Sequence, residues 1–245
     1  MRISEDCYRR QVEQPVNNLE DLKKAAALKA VEFIRDGMVV GLGTGSTAKH
    51  MVIALGEKVR AGMTLRGVPT SKETAALARQ QGITLIDADN TWVIDIAIDG
   101  ADQVDPGFNL IKGGGGALLN EKIVAASAKQ FIVLVDYTKQ VPVLGGSFPL
   151  PIEVVPFGWG STAREIEALT QSRVVLRERN GSPFNTEAGH VILDVHLPRI
   201  DNPRELEIAL NLIPGVVETG LFVGRTDLLI VGTPNGVESH PAART

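Results

Sequence analysis

The sequence predicts an α/β fold: a doubly wound parallel sheet, with a smaller α+β domain inserted before its last strand. Three observations carry this. From Met38 to Asp136, apolar runs alternate with helix-forming stretches, the pattern of parallel strands covered on both faces by helices. Beyond residue 147 the order becomes strand–helix–strand–strand–helix–strand, which is the ferredoxin-like order. A late apolar run, "TDLLIVGT", then returns to the texture of the first half and is expected to rejoin the first sheet.

Each element has a local cause. In "LEDLKKAAALKAVEFIRDGM", residues 19–38, helix formers dominate and Leu22, Ala26, Val31 and Ile34 mark one face. Glu20 and Asp21 sit where a helix start favours negative charge, and Gly37 is the expected end. "MVVGLG" reads as a buried strand running straight into a second helix, "TGSTAKHMVIALGEKV". "TLRGVPT" is the next strand, and "SKETAALARQQG" a helix with Ser71 as N-cap. "ITLID", "VIDIAID" and "FIVLVD" are strands that each end in aspartate, with the helix "ALLNEKIVAASAK" between the last two. In the second half "PIEVVP" is a strand and "STAREIEAL" a helix capped by Ser161. "RVVLRE" and "HVILDVHL" form a hairpin around the turn-rich "NGSPFNTEAG". "NPRELEIALNLIPG" is a helix with Pro203 near its first turn, and "VVETGLF" a strand. The expected division is a Rossmann-like domain over 19–147 and 220–245, a smaller domain over 148–219, and an amino-terminal extension over 1–18.

Composition narrows what such a fold can do. With 44% hydrophobic and 22% charged residues, the 245-residue chain has the makings of a globular core rather than of a disordered segment. A net charge of −4 leaves no basic footprint, so nucleic acid is not an expected partner. No apolar run approaches the ~20 residues that span a bilayer. The lone cysteine, Cys7, excludes an intrachain disulfide and suits a reducing compartment. The first residues lack the apolar core of a secretory signal, so a cytoplasmic location is expected.

Ligands of open α/β sheets bind where strand carboxyl ends meet loops, and three unusual segments fall there. In "GLGTGSTAK", Thr44, Gly45, Ser46 and Thr47 open a helix with free N–H groups, hydroxyls and a positive dipole end, which suits a phosphate. The dinucleotide fingerprint would need glycine at Ser46, and the Walker pattern glycine at Ala48, so neither applies. In "IDGADQ", Asp99 and Asp102 flank Gly100 and Ala101, and two close carboxylates oppose each other's ionisation. In "IKGGGGALLNEK", Lys112 precedes Gly113, Gly114, Gly115 and Gly116, and Glu121 follows in the next helix. Four glycines are entropically costly; they form either a flexible linker or a loop whose amides lie against a ligand. Lys139 follows another strand end, and Lys23 could approach a phosphate from the first helix. His190 and His196 share one side of a strand but lack a third ligand at metal spacing, so no metal site is expected.

Taken together, "GLGTGSTA", "DGAD", "KGGGGA" with "EK", "DYTKQV", "FPLPIEVVPF" and "PGVVETGLF" resemble type A ribose-5-phosphate isomerase, from about Leu19 to Val237. The resemblance implies a sugar-phosphate isomerase of the non-oxidative pentose phosphate pathway, needing no cofactor or metal, and a homodimer or homotetramer. It implies substrate contacts at Thr44 to Thr47, Asp99 to Asp102, Lys112 to Gly115 and Lys139, with Glu121 as proton acceptor. The family usually reads DGADE, where this chain has Gln103. The residues fit that chemistry. Moving a proton between C2 and C1 through an enediolate needs a carboxylate, for which Glu121 is best placed. Lys112 and one aspartate can meet the developing oxyanion, and Asp99 or Asp102 can assist opening of the furanose ring. Two rivals remain at this level: a sugar-phosphate sensor domain and an acyl-CoA transferase.

Overall fold

In the computed structural model, which describes residues 18–87 and 92–242, Asn18 caps the first helix by accepting from Glu20 N–H. Apart from Asn18, the expected extension over 1–18 lies outside the described residues, as does Cys7. The helix α1 (Leu19–Val31) stops well short of Gly37. Phe33 and Ile34 donate three residues back, to Ala30 and Val31 carbonyls. Asp36 then accepts from both the backbone N–H and the hydroxyl of Thr64. This tertiary contact anchors the turn that follows Ile34.

The first half continues with β1 (Val39–Leu42), α2 (Ser46–Arg60), β2 (Arg66–Pro69), α3 (Lys72–Gln80), β3 (Thr84–Leu85) and β4 (Ile96–Gly100). Two short strands, β5 (Gln103–Val104) and β6 (Leu110–Ile111), precede α4 (Leu118–Ser127) and β7 (Phe131–Asp136). Then come β8 (Leu150–Val154), α5 (Trp159–Thr170), β9 (Val174–Leu176), β10 (Glu178–Arg179), β11 (Ser182–Pro183), β12 (Val191–Val195), α6 (Pro203–Asn211) and β13 (Val216–Thr219). The chain closes with β14 (Leu221–Phe222), β15 (Leu228–Thr233) and β16 (Gly236–Pro241). Ser71 caps α3 as expected, accepting from Thr74 N–H.

The largest sheet has the order β16-β15-β7-β4-β1-β2-β3. Its pairs are parallel except for β16, which folds back on β15. Thus "TDLLIVGT" does return to the first sheet, beside β7. Alternate residues leave a strand on opposite faces, and β7 shows it. Ile132 and Leu134 join the cluster under α1 and α2, while Phe131, Val133 and Val135 join the one under α4. A four-stranded antiparallel sheet, β13-β8-β12-β9, has its own core of Leu150, Ile152, Ile166, Leu193 and Leu210.

Two further expectations need correction. Ser161 is not the cap of α5. The helix begins at Trp159, and its N-cap is Gly158, which takes the left-handed conformation that glycine tolerates. "VVETGLF" is also not one strand. It divides at Gly220, with β13 in the four-stranded sheet and β14 in a three-stranded sheet with β6 and β5.

Candidate active site

Three strand ends of the main sheet converge. β1 runs through Gly43 to Gly45, which is the N-cap of α2; among the described residues no side chain caps that end. The first-turn amides of α2 and the positive end of its dipole therefore face outward from the sheet edge. Gly43 packs so closely that an added Cβ would sit 2.1 Å from Asp99 Oδ1. The Thr44 hydroxyl bonds Thr70 Oγ1 at 2.7 Å and Ser71 Oγ at 2.8 Å, and so ties this loop to the start of α3.

At the end of β4, Asp99 is buried and its Oδ1 accepts from the N–H groups of Thr44 and Gly100. Lys112, equally buried, places Nζ 3.1 Å from Asp99 Oδ2 and 3.2 Å from Glu121 Oε2. Its nearest acceptor is Gly100 O, at 2.5 Å. One ammonium thus serves two buried carboxylates. The distance to Glu121 is that of an ion pair, yet hydrogen-bond geometry is not met, so Glu121 Oε2 is buried without a hydrogen-bond donor. Burial, reinforced by the Asp99 charge and opposed by Lys112, raises the Glu121 carboxyl from 4.5 to about 8. Burial likewise raises Asp99, against the pull of Lys112. Burial alone would lower Lys112, but the charges of Asp99 and Glu121 outweigh it and hold the ammonium above its ordinary value. A cation fixed beside a carboxylate of near-neutral pKa is suited to general-base chemistry at a carbon next to a developing oxyanion.

The four glycines lie between this lysine and this glutamate, and they are not a linker. Gly113 and Gly116 have φ of +104° and +88°, and a Cβ at Gly116 would lie 2.4 Å from the Phe184 ring. Gly114 meets Asp102, with room for no side chain: its Cβ would be 2.8 Å from Asp102 Oδ1. Beside Gly115 there is open space.

These groups surround a cleft of about 140 Å³, enough for a small polar molecule but not for a dinucleotide. Thr44 to Thr47, Gly100 to Asp102, Lys112 to Gly115, Glu121, Lys139 and Lys23 line it, joined by Val135. Asp99 does not line it and sits beneath, behind Lys112. A larger cavity, about 850 Å³, opens near Phe108 and Gly224; of its charged residues Asp201, Arg204 and Glu205 are exposed and Asp227 is half-buried. Among the described residues no group of three or more His, Cys, Asp or Glu is placed to hold a metal ion. No helix there is long and apolar enough to cross a membrane.

The family model Ribose 5-phosphate isomerase A (phosphoriboisomerase A) matches residues 66–236. The chain belongs to that family. Ribose-5-phosphate isomerase A of Jannaschia sp. is 51% identical over 225 residues, covering 89% of this chain and 86% of the relative. A solved D-ribose-5-phosphate isomerase in complex with phospho-erythronic acid is 45% identical, with a TM-score of 0.88 over 91% of this chain and 99% of the other. The ribose 5-phosphate isomerase A of Methanocaldococcus jannaschii is 43% identical, with a TM-score of 0.86 over 91% of this chain and all of the other (100%).

For this member of the family, Gln103 has a definite place. Its amide donates to Gly145 O and accepts from Gly145 N–H, both at 2.8 Å, and so pins the segment leading to Phe148. Two charged residues beside the site were not anticipated. Lys122 is buried, bonded to Glu207, Glu218 and Thr219 O, and its signal was only adjacency to Glu121. Arg177 reaches the glycine run from the four-stranded region, and no local pattern marks it.

Proposed function

We propose that this chain interconverts D-ribose 5-phosphate and D-ribulose 5-phosphate, and that the cleft around Lys112 and Glu121 is where it does so. The observation that carries the reading is the buried Lys112 held between Asp99 and Glu121, in a cleft shared with an uncapped helix N-terminus. The phosphate sits at Ser46 and Thr47 on the opening of α2, flanked by Lys23 and Lys139, and its binding energy positions the reacting carbons. Glu121 takes the proton from C2 of the open-chain aldose and delivers it to C1. Lys112 faces the oxygen on which negative charge develops, and the hydroxyl proton moves from O2 to O1. Asp102, on the cleft wall, serves the ring oxygen during furanose opening, while Asp99 holds Lys112 from beneath. A raised carboxyl at Glu121 supports the base role, since an efficient base titrates near the working pH. A solved relative in complex with phospho-erythronic acid, a phosphorylated sugar acid, supports the substrate class.

The architecture is read as a Rossmann-like catalytic domain, 19–147 with 220–245, and a ferredoxin-like domain over 148–219, which the order β13-β8-β12-β9 supports. A cytoplasmic homodimer or homotetramer acting in the non-oxidative pentose phosphate pathway completes the proposal. The decisive experiment is to incubate the purified chain with ribose 5-phosphate alone, after dialysis against EDTA. Ketose should form without an added metal or acyl donor. No ketose, or activity only on restoring a divalent ion, would overturn the reading.

A further inference from the structure

Two glycines joined in a chain have no Cβ to resist a flip of the peptide between them, so the Gly113–Gly114 peptide needs something outside itself to hold it. Both of its ends are held. Its N–H, on Gly114, donates to Asp102 Oδ2 at 2.8 Å. Its carbonyl, on Gly113, accepts from Arg177 Nη1 at 2.7 Å, and the same Nη1 lies 3.2 Å from Gly114 O. Arg177 is itself fixed. Its Nε and Nη2 bind Asp194 Oδ2 and Oδ1 at 2.8 and 2.5 Å, a two-pronged pair with both side chains only 15% exposed. Its backbone is bonded on both sides, to Ile192 O through its N–H and from Phe184 N–H through its carbonyl. A continuous line runs from Asp194 through the guanidinium and one peptide to the carboxylate of Asp102. Flipping that peptide would take Gly113 O away from Arg177 Nη1 and turn a carbonyl oxygen toward Asp102, which repels it.

We propose that Arg177, anchored by Asp194, is a positioning residue for the reaction, acting by locking the Gly113–Gly114 peptide so that its N–H holds the Asp102 carboxylate toward the substrate. The proposal rests on the role given to Asp102 above. It assigns to the β9–β12 hairpin region a part in the chemistry and not only in folding. Arg177 does not touch substrate; its effect passes through the peptide.

A double-mutant cycle on kcat tests this. Arg177→Met should stay folded, with little change in KM, and lose on the order of 10–100-fold in kcat, the scale of a lost bond to a charged group. Asp102→Asn should also lose rate, and the double variant should fall no further than about threefold below the slower single one. Asp194→Asn, which keeps the guanidinium but loosens it, should lose less and show the same non-additivity; it serves if Arg177→Met does not fold. Losses that multiply in the double variant, or a folded Arg177→Met at the wild-type rate, overturn the proposal while leaving the role of Asp102 intact. A full-rate Asp102→Asn removes that role and this proposal with it.

Discussion

Replacing Glu121 with glutamine removes a carboxyl that the folded protein buries at a cost, so activity and stability should move in opposite directions. In the folded chain burial raises the carboxyl to about 8, against an ordinary value of 4.5. Between these values the folded state binds more protons than the unfolded one, and stability falls as pH rises. At ~1.36 kcal/mol per unit, burying this carboxyl costs about 3 kcal/mol at pH 7, where it is still mostly protonated, and about 5 kcal/mol above pH 8, where it is charged. Below pH 4.5 both states are protonated and the penalty vanishes. Glutamine has the shape of the protonated acid, so Glu121→Gln should match the wild type near pH 4.5 and exceed it increasingly up to pH 8. Urea titrations of both proteins across that range measure the gap. In the same preparations kcat should fall on the order of 10²–10⁴-fold, while substrate still binds. A stability gap that stays constant with pH would show that Glu121 is not a raised carboxyl. A folded variant that keeps most of its activity would show that the base lies elsewhere.

For the wild type, kcat/KM should rise with pH at a slope of one and level off near pH 8, because Lys112 stays charged throughout while Glu121 loses its proton; a profile flat from pH 6 to 9 would contradict this. Ser46→Asp places a negative charge where the phosphate is expected, yet it suits a helix start. KM for ribose 5-phosphate should rise at least tenfold with no loss of thermal stability, and an unchanged KM would move the phosphate site. Gly116→Ala should destabilise the fold by at least about 1–2 kcal/mol, from its left-handed backbone and the adjacent Phe184 ring. Gly115→Ala, with open space beside it, should leave denaturation unchanged and raise KM; equal destabilisation by the two would refute this account of the glycine run.

What could be read from the sequence was what repeats along it. Long apolar runs such as "FIVLVD" announce themselves because both faces of β7 are buried, and the site segments stand out because glycines, hydroxyls and charges cluster at strand ends. Strands β5, β6 and β14 have two residues each, too few for any period to show. The turn after α1 is anchored by Asp36 meeting Thr64, a contact between residues far apart in the chain. That the Thr44 hydroxyl also bonds Thr70 and Ser71, on another turn, could not be read from its own segment. Arg177 escaped notice because what it binds in the glycine run is backbone, Gly113 O and Gly114 O, and backbone carbonyls leave no mark in a sequence.

The division of "VVETGLF" at Gly220 bears on when the protein becomes active during its synthesis. Gly220 accepts from Lys112 N–H at 2.8 Å and donates to Pro151 O at 2.7 Å, and a Cβ there would lie 2.3 Å from Lys112 O. Phe222, two residues on, puts its ring 5.5 Å from the Lys112 ammonium. As the chain leaves the ribosome, the loop of α2, both aspartates, Lys112 and Glu121 have all emerged while the backbone that seats the lysine is still unmade. Domains fold as units in the order they are made, but this centre draws its last support from a segment that follows the whole of 148–219. A nascent chain stalled before Gly220 would carry Lys112 and Glu121 without that backbone bond, and should show no isomerase activity.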